Sequence, residues 1–494
     1  MVLKGRDEDM ERLPIQPSCL DMDATSLAQA IREGQLSSTE VVHTYIEQIK
    51  KVNPHVNAVV ENRFTSALEE AKQADQEIHT HQEIGPLHGV PISIKEAFHV
   101  KNMKTTGGIS HRKDLIFTQD AHVVATLKAA GAIIIGKTNT PTLCFCQETD
   151  NKLYGRTNNP WDLTRTAGGS SGGEGALIGA GGSVAGIGSD IGGSIRFPSH
   201  FNGVIGFKSG KFQVNPTGHF PADTLPLQSR MLSIGPMGKS VRDIALLYGL
   251  MANEVPLPLS LEKVQIDILA NDSSYPLSKR TAELLDDLHA ELSGPFTTQR
   301  TIPPYFHDSA QLWQEIMSVD GGESMKKLAF NKDRSHPLAA YIKEKVTNKT
   351  NTHTYLSWAL IGAKLFQPSE KRIRDITTIL DQGDNVLKDY LHNKLLIFPV
   401  YHEAAGKHGH VYQEIFSIRK TYRTYMPYVA YANVWGLPAL TIPIGVDEQG
   451  LPISIQIMAN TGNEDLIFQV ATRIEKKFRG YVRSLMIDPT ISHT

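Results

Sequence analysis

The sequence predicts an α/β fold: a large mixed, twisted β-sheet core sandwiched by helices on both faces. Two observations carry that expectation. Apolar runs of strand length recur between residues 90 and 458, and many are separated by segments with helical periodicity. Strands alternating with helices are the pattern of a sheet covered on both sides. The 494 residues are also 40% hydrophobic and 21% charged, an ordinary globular balance, and a large α/β enzyme of this length can form one domain. No internal repeat is present.

Taken in order, residues 1–22 read as an arm. A helix begins at Asp23 and is interrupted at Gly34. Ser37-Ser-Thr-Glu40 offers a capping box, in which hydroxyl and carboxylate satisfy each other's backbone amides. The helix it opens carries Val41, Val42, Tyr45, Ile46 and Ile49 on one face and is expected to stop near Asn53-Pro54. A charged helix fills about 63–79. After Gly85-Pro86, residues 90–94 read as a short buried strand with Lys95 at its end. Residues 120–130 read as helix, 132–135 as buried strand, 173–180 as helix and 184–188 as strand. A helix near 240–252 follows Gly235-Pro236. From 260 to 395 one strand near 264–269 gives way mostly to helices. Strands return at 396–400, 440–444 and 453–458, with helices at 422–435 and 463–478.

The stretch 168–198 stands apart. Between Gly168 and Gly193 there are 12 glycines in 26 residues, too many for ordinary helix or strand, because glycine costs backbone entropy in either. Ala176, Leu177, Ile178, Val184, Ile187 and Ile191 interleave at buried-type spacing, so it is not a linker. Ser194 follows Asp190-Ile-Gly-Gly193. A serine whose own amide and preceding amides converge has the layout of a nucleophile with an oxyanion hole. A glycine-rich phosphate or structural loop is the other reading of the same composition.

Composition narrows the function class. Lys+Arg is 50 and Asp+Glu 52, for a net charge of −2. Nothing in that balance points to nucleic acid. The three cysteines, Cys19, Cys144 and Cys146, do not form a disulfide scaffold and fit a reducing compartment. No second cysteine pair accompanies Cys144-x-Cys146, so zinc is not expected. The N-terminus MVLKGRDEDMERLP has no apolar core of a secretory signal. No run approaches the roughly 18 apolar residues of a spanning helix. A soluble, cytoplasmic protein is expected.

Several motifs are decoys. Gly131-Ala-Ile-Ile-Ile-Gly-Lys-Thr138 matches a phosphate-binding P-loop letter for letter, but its middle is a strand and Pro141 follows too soon for the required helix. Gly168-Gly-Ser-Ser-Gly172 matches a G-x-S-x-G elbow, which needs an apolar strand directly before it; Leu163-Thr-Arg-Thr-Ala167 is a poor one. His402-Glu403 with His408 and His410 lacks metalloprotease spacing and reads as a solvated loop. Lys95 has two readings. It snorkels to the surface, or it is buried, loses its proton readily and serves as base to a serine.

The chain resembles the amidase signature family of serine hydrolases. The resemblance covers nearly the whole sequence and is dense from 85 to 243. Its motifs are Gly85-Pro-Leu-His-Gly-Val-Pro-Ile-Ser-Ile-Lys95, Gly136-Lys-Thr-Asn139, Tyr154-Gly-Arg-Thr-Asn-Asn-Pro160 and Gly168-Gly-Ser-Ser-Gly-Gly-Glu-Gly175. Gly188-Ser-Asp-Ile-Gly-Gly-Ser-Ile-Arg-Phe-Pro198, Gly235-Pro-Met, Gly436-Leu-Pro-Ala and Gly450-Leu-Pro-Ile continue it. The resemblance implies a Ser–cis-Ser–Lys triad: Ser194 as nucleophile, Ser170 as relay after a non-proline cis peptide, Lys95 as a base that begins neutral. It implies an oxyanion hole from the amides of Ile191, Gly192, Gly193 and Ser194, with Ser171, Asp190 and Arg196 in support. Many members carry Thr where Ser189 stands. No metal or organic cofactor is implied. One unit would follow the arm, over 23–494, with a signature core at 85–260, a helix-rich variable region at 260–395 and closing elements at 396–480.

Within the family, Glu174 and Tyr154-Gly-Arg look most like the fatty-acid amide hydrolase branch, where the positions of Cys144 and Phe145, like Ser170, border the substrate. The implied activity is hydrolysis of carboxylic amides, fatty or aryl, with esters and carbamates as further substrates, by a homodimer. The apolar segment 355–366, with Trp358, Ile361 and Leu365 at helical spacing, either caps an acyl channel and touches lipid or is ordinary core or subunit contact. Two competing functions remain: the glutaminase subunit of a tRNA-dependent amidotransferase, and a non-catalytic scaffold of the same fold.

Overall fold

The computed structural model describes residues 15–78, 84–222, 225–330, 336–347, 350, 353–415 and 420–487. Thirteen strands are found among them. In chain order these are β1 (Val59–Asn62), β2 (Pro91–Lys95), β3 (Ile133–Thr138), β4 (Asn158–Asn159), β5 (Asp162–Thr166), β6 (Ala185–Asp190), β7 (Ile205–Lys208), β8 (Ser233–Gly238), β9 (Gln265–Leu269), β10 (Thr297–Thr301), β11 (Lys394–Pro399), β12 (Ala439–Val446) and β13 (Pro452–Met458). Eleven form one sheet, in the order β1-β3-β2-β6-β8-β7-β12-β13-β11-β9-β10, and β4 pairs with β5 in a separate ribbon. The sheet is mixed. β2 runs parallel to both β3 and β6, while β6 and β8 are antiparallel.

Helices cover both faces, as expected. Leu395 and Ile397 of β11 join one apolar cluster with Ile244 and Leu247 of the helix Val241–Met251 and Leu466 and Val470 of the helix Glu464–Lys477. Leu396 and Phe398 join the other, with Trp313 and Ile316 of Ser309–Met317 and Ile376 and Leu380 of Glu370–Tyr390. Alternate residues of one strand thus feed opposite cores. No helix among the described residues is long and apolar enough to cross a membrane.

Several local expectations are corrected. The helix opened by the Ser37–Glu40 capping box, Ser38–Val56, runs through Pro54 and ends only where Asn57 turns left-handed (φ 49°). β1 and β10 carry no clear sequence signal: each is short and at a sheet edge, and β10 is polar throughout. Residues 163–167, a poor strand by sequence, fall mostly within β5. The glycine-dense stretch forms the expected helix, Gly172–Gly179, and the expected strand, β6, all buried, although its glycine content is too high for ordinary helix or strand. Packing resolves the conflict: a Cβ on Gly173 would come within 2.4 Å of the Asn139 amide nitrogen. Of the arm, residues 1–14 lie outside the described residues, while Cys19 and Leu20 pack into the core. His402 is not solvated; it is largely buried, stacked on Tyr425 at 3.8 Å and bonded to Glu414 at 3.1 Å.

Candidate active site

β2 and β6 are parallel neighbours, so Lys95 and Ser189-Asp190 arrive at the same edge of the sheet. Carboxyl ends of parallel strands are where α/β sheets hold ligands. All five residues of β2 are buried, and Lys95 is 0% exposed. Its Nζ stands 2.7 Å from Ser170 Oγ, 3.0 Å from Ser189 Oγ and 3.5 Å from the Ser189 carbonyl. Burial pushes the Lys95 ammonium down from its usual range, against the pull of the Cys144 thiol, Asp190 and Glu174. Of its two sequence readings, snorkelling is therefore excluded.

Ser170 follows a cis peptide from Gly169 and precedes the helix Gly172–Gly179. The Ser171 amide donates to the Ser194 carbonyl at 3.0 Å, tying the two serine segments together. The Ser171 hydroxyl approaches the Ser189 carbonyl at 3.4 Å.

The loop between β6 and the helix Arg196–Asn202 is held from below by a buried ion pair. Arg196 Nε lies 3.0 Å from Asp190 Oδ2 and Nη2 lies 3.0 Å from Oδ1, with both side chains fully buried. Burial alone would raise the Asp190 carboxyl; the guanidinium overrides it and holds the group well below the usual range. Arg196 also donates to the Val429 carbonyl and to Gln456 Oε1.

Of the four amides expected to converge, that of Gly193 is committed elsewhere: it donates to Asp190 Oδ1 at 2.8 Å. Gly193 has φ +93°, and a Cβ there would sit 2.6 Å from Phe197, so only glycine makes this turn without strain. The amides of Ile191, Gly192 and Ser194 donate to no protein acceptor among the described residues. The carbonyls of Ile191 and Gly192 are engaged, by Trp313 Nε1 at 2.7 Å and Gln147 Nε2 at 3.2 Å.

Ser170, Ser189, Ile191, Ser194, Cys144 and Phe145 line one cavity of about 610 Å³. Phe145 and Met317 also line an adjoining cavity of about 690 Å³, bounded by Trp313, Trp358, Ile361 and Gly362 and almost wholly apolar. Of the sequence-predicted residues, Cys144, Phe145, Ser170, Ile191 and Ser194 line the first cavity, while Lys95, Ser171, Gly192, Gly193, Asp190 and Arg196 do not. Under the lysine, the buried Glu174 carboxyl meets Ser93 Oγ at 2.5 Å and Thr138 Oγ1 at 2.8 Å. Burial pushes it up to about 8, despite those bonds. Thr138 and Lys137 lie in β3, which confirms that the P-loop match is a strand.

Residues 40–468 match the Amidase family, most of the chain. The chain belongs to the amidase family. It is an amide-cleaving hydrolase. Fatty-acid amide hydrolase 2-B of Danio rerio is 34% identical over 494 residues, covering 95% of this chain and 92% of the relative. Fatty-acid amide hydrolase 2 of Homo sapiens is 34% identical over 495 residues, covering 95% and 91%. A glutamyl-tRNA(Gln) amidotransferase subunit from Cyanothece sp. is 29% identical, covering 91% and 96%. The solved structure of 6-aminohexanoate cyclic dimer hydrolase matches with a TM-score of 0.79 at 24% identity, covering 95% of this chain and 100% of that one.

In this amidase, three site residues carried no signal in the sequence. Trp313 and Gln147 grip the 191–192 carbonyls, and His219 reaches Ser189 Oγ at 2.9 Å. Trp313 lies 122 residues from its partner in the region of weakest periodicity, and His219 sits in a turn-rich Pro216-Thr-Gly-His-Phe-Pro221 loop.

Proposed function

We propose that this amidase hydrolyses lipophilic carboxylic amides through an acyl-enzyme on Ser194, with Ser170 as proton relay and Lys95 as base. The observation that carries the reading is the buried Lys95 Nζ 2.7 Å from the Oγ of Ser170, a residue that lines the same cavity as Ser194. A lysine desolvated in this way is neutral early enough to accept a proton. Ser194 Oγ attacks the carbonyl carbon as its proton passes to Ser170 Oγ and the Ser170 proton passes to Lys95 Nζ. The carbonyl oxygen takes the charge and accepts from the free amides of Ile191, Gly192 and Ser194. Lys95 then returns a proton through Ser170 to the leaving nitrogen, the C–N bond breaks and the amine departs. Water repeats the sequence on the ester and frees Ser194. Esters and carbamates fit the same chemistry.

The apolar second cavity supports a lipophilic acyl group. Glutamine would bring an ammonium and a carboxylate for which this lining offers no charged partner, which favours the hydrolase over the glutaminase reading. Trp358 and Ile361 of the helix Thr354–Leu365 wall the cavity while Leu365 is 66% exposed, an arrangement suited to capping an acyl channel and resting on lipid. If Trp358→Asp leaves long-chain turnover and liposome binding unchanged, that part of the reading is wrong.

A series of n-alkyl primary amides, run beside glutamine, tests the substrate class. Each methylene is expected to raise kcat/KM by roughly fourfold until the cavity is full. Faster turnover of glutamine than of every lipophilic amide would overturn the reading.

A further inference from the structure

We propose that His219 is a positioning residue that fixes the proton on Ser189 and so reserves the lone pair of Lys95 for Ser170. The proposal rests on the triad reading above.

The segment 216–221 is docked on the chain that leaves β2. Phe220 N donates to the Ala97 carbonyl at 2.7 Å and His99 N to the Gly218 carbonyl at 2.9 Å, with a bridge between Phe98 and His219. The imidazole is buried, with its ring 5.0 Å from that of Phe98 in an edge contact. His219 Nδ1 lies 3.0 Å from the Pro221 carbonyl and Nε2 lies 2.9 Å from Ser189 Oγ.

These contacts determine where the protons are. A carbonyl only accepts, so Nδ1 carries a hydrogen. Burial, with Lys95 nearby, pushes the imidazole down to about 3, so the ring is neutral at ordinary pH and Nε2 is an acceptor. The Ser189 hydroxyl therefore donates to Nε2. Its single proton is then engaged, and toward Lys95 Nζ at 3.0 Å it can only accept. Neutral lysine has two N–H bonds and one lone pair. One N–H goes to Ser189 Oγ and the other faces the Ser189 carbonyl at 3.5 Å. The Cys144 thiol also faces Lys95, but it donates to the Phe220 carbonyl at 3.9 Å, so the lone pair is left for the Ser170 hydroxyl at 2.7 Å. Without the imidazole, the Ser189 hydroxyl is free to turn its proton onto Lys95 and occupy the site Ser170 needs.

His219→Phe keeps the ring packing and removes both nitrogens. His219→Gln keeps a donor and an acceptor for the same two partners. The readout is the rate of labelling by a serine-reactive fluorophosphonate, followed by intact mass, in wild-type and Ser189→Ala backgrounds, together with kcat and KM for one amide. The Phe variant is expected to label on the order of tenfold to a hundredfold more slowly, with kcat reduced and KM unchanged. The Gln variant should recover most of the rate. In the Ser189→Ala background, where no hydroxyl competes, His219→Phe should have no further effect. Wild-type labelling of the Phe variant, failure of Gln to recover the rate, or an equal loss in both backgrounds would overturn the proposal. Should the Phe variant not fold, His219→Leu replaces it in both backgrounds under the same criteria. Ser194→Ala run alongside separates the two ideas: if it still labels, the nucleophile assignment fails, whatever His219 does.

Discussion

Trp313 Nε1 donates to the Ile191 carbonyl at 2.7 Å. The same indole lies against Gly192, where a Cβ would approach its Cζ2 to 2.6 Å, and the same ring lines the apolar cavity. One side chain therefore borders the proposed acyl channel and holds a carbonyl of the proposed oxyanion loop outward. Trp313→Phe keeps an aromatic ring and removes the donor. Steady-state kinetics on a short amide should show kcat lowered about tenfold with KM little changed, as expected for a lost hydrogen bond that orients transition-state donors.

Beneath that loop, Arg196→Met would leave the Asp190 carboxylate fully buried without its cation. Removing one partner of a buried pair costs about 3–5 kcal/mol. Urea unfolding should report a loss of that size and, at temperatures where the variant is folded, a large fall in activity. A loss within about 0.5 kcal/mol would mean that the pair is not what holds the loop.

Glu174 gives a pH signature. Its carboxyl moves from 4.5 to about 8 on folding. Between those values the native protein holds a proton that the unfolded chain has released. The group's contribution is complete below 4.5 and is lost as pH rises through 8, with a slope of up to about 1.4 kcal/mol per pH unit. Glu174→Gln keeps the shape and does not titrate. Relative to wild type, its stability should therefore rise by about 3 kcal/mol between pH 5 and pH 8 in urea unfolding. A parallel pH dependence in the two proteins would show that Glu174 is not protonated in the fold.

Gly362 lines the second cavity, and a Cβ there meets nothing within 4 Å. Gly362→Leu adds bulk at a helix interior that favours leucine over glycine by up to about 1 kcal/mol. Long-chain amides should lose kcat/KM by at least about tenfold while the shortest are unaffected. Uniform effects across chain length would place the acyl group elsewhere.

The parts of the fold legible in the sequence are those whose residues explain themselves. Ile92 and Ile94 of β2, Ile133–Ile135 of β3 and the Ser37–Glu40 capping box need no distant partner to be recognised. β1 and β10 were hidden because edge strands of four and five residues carry no alternation. The helix within the glycine-dense stretch was legible from its apolar residues Ala176–Ile178, while the reason for its glycines was not: neighbours such as Asn139 and Asn202 pack too close for any Cβ. The same division holds at the site. Ser170, Ser194 and Lys95 stand in recognisable motifs. His219 and Trp313 act through contacts across 30 and 122 residues, which local sequence does not encode.

Intact mass after fluorophosphonate treatment of wild type, Ser194→Ala and Lys95→Ala tests the central claim most directly. One adduct on wild type, none on Ser194→Ala, and labelling of Lys95→Ala slowed on the order of a hundredfold or more is the predicted result. Equal labelling of Ser194→Ala would contradict it and move the nucleophile to another residue.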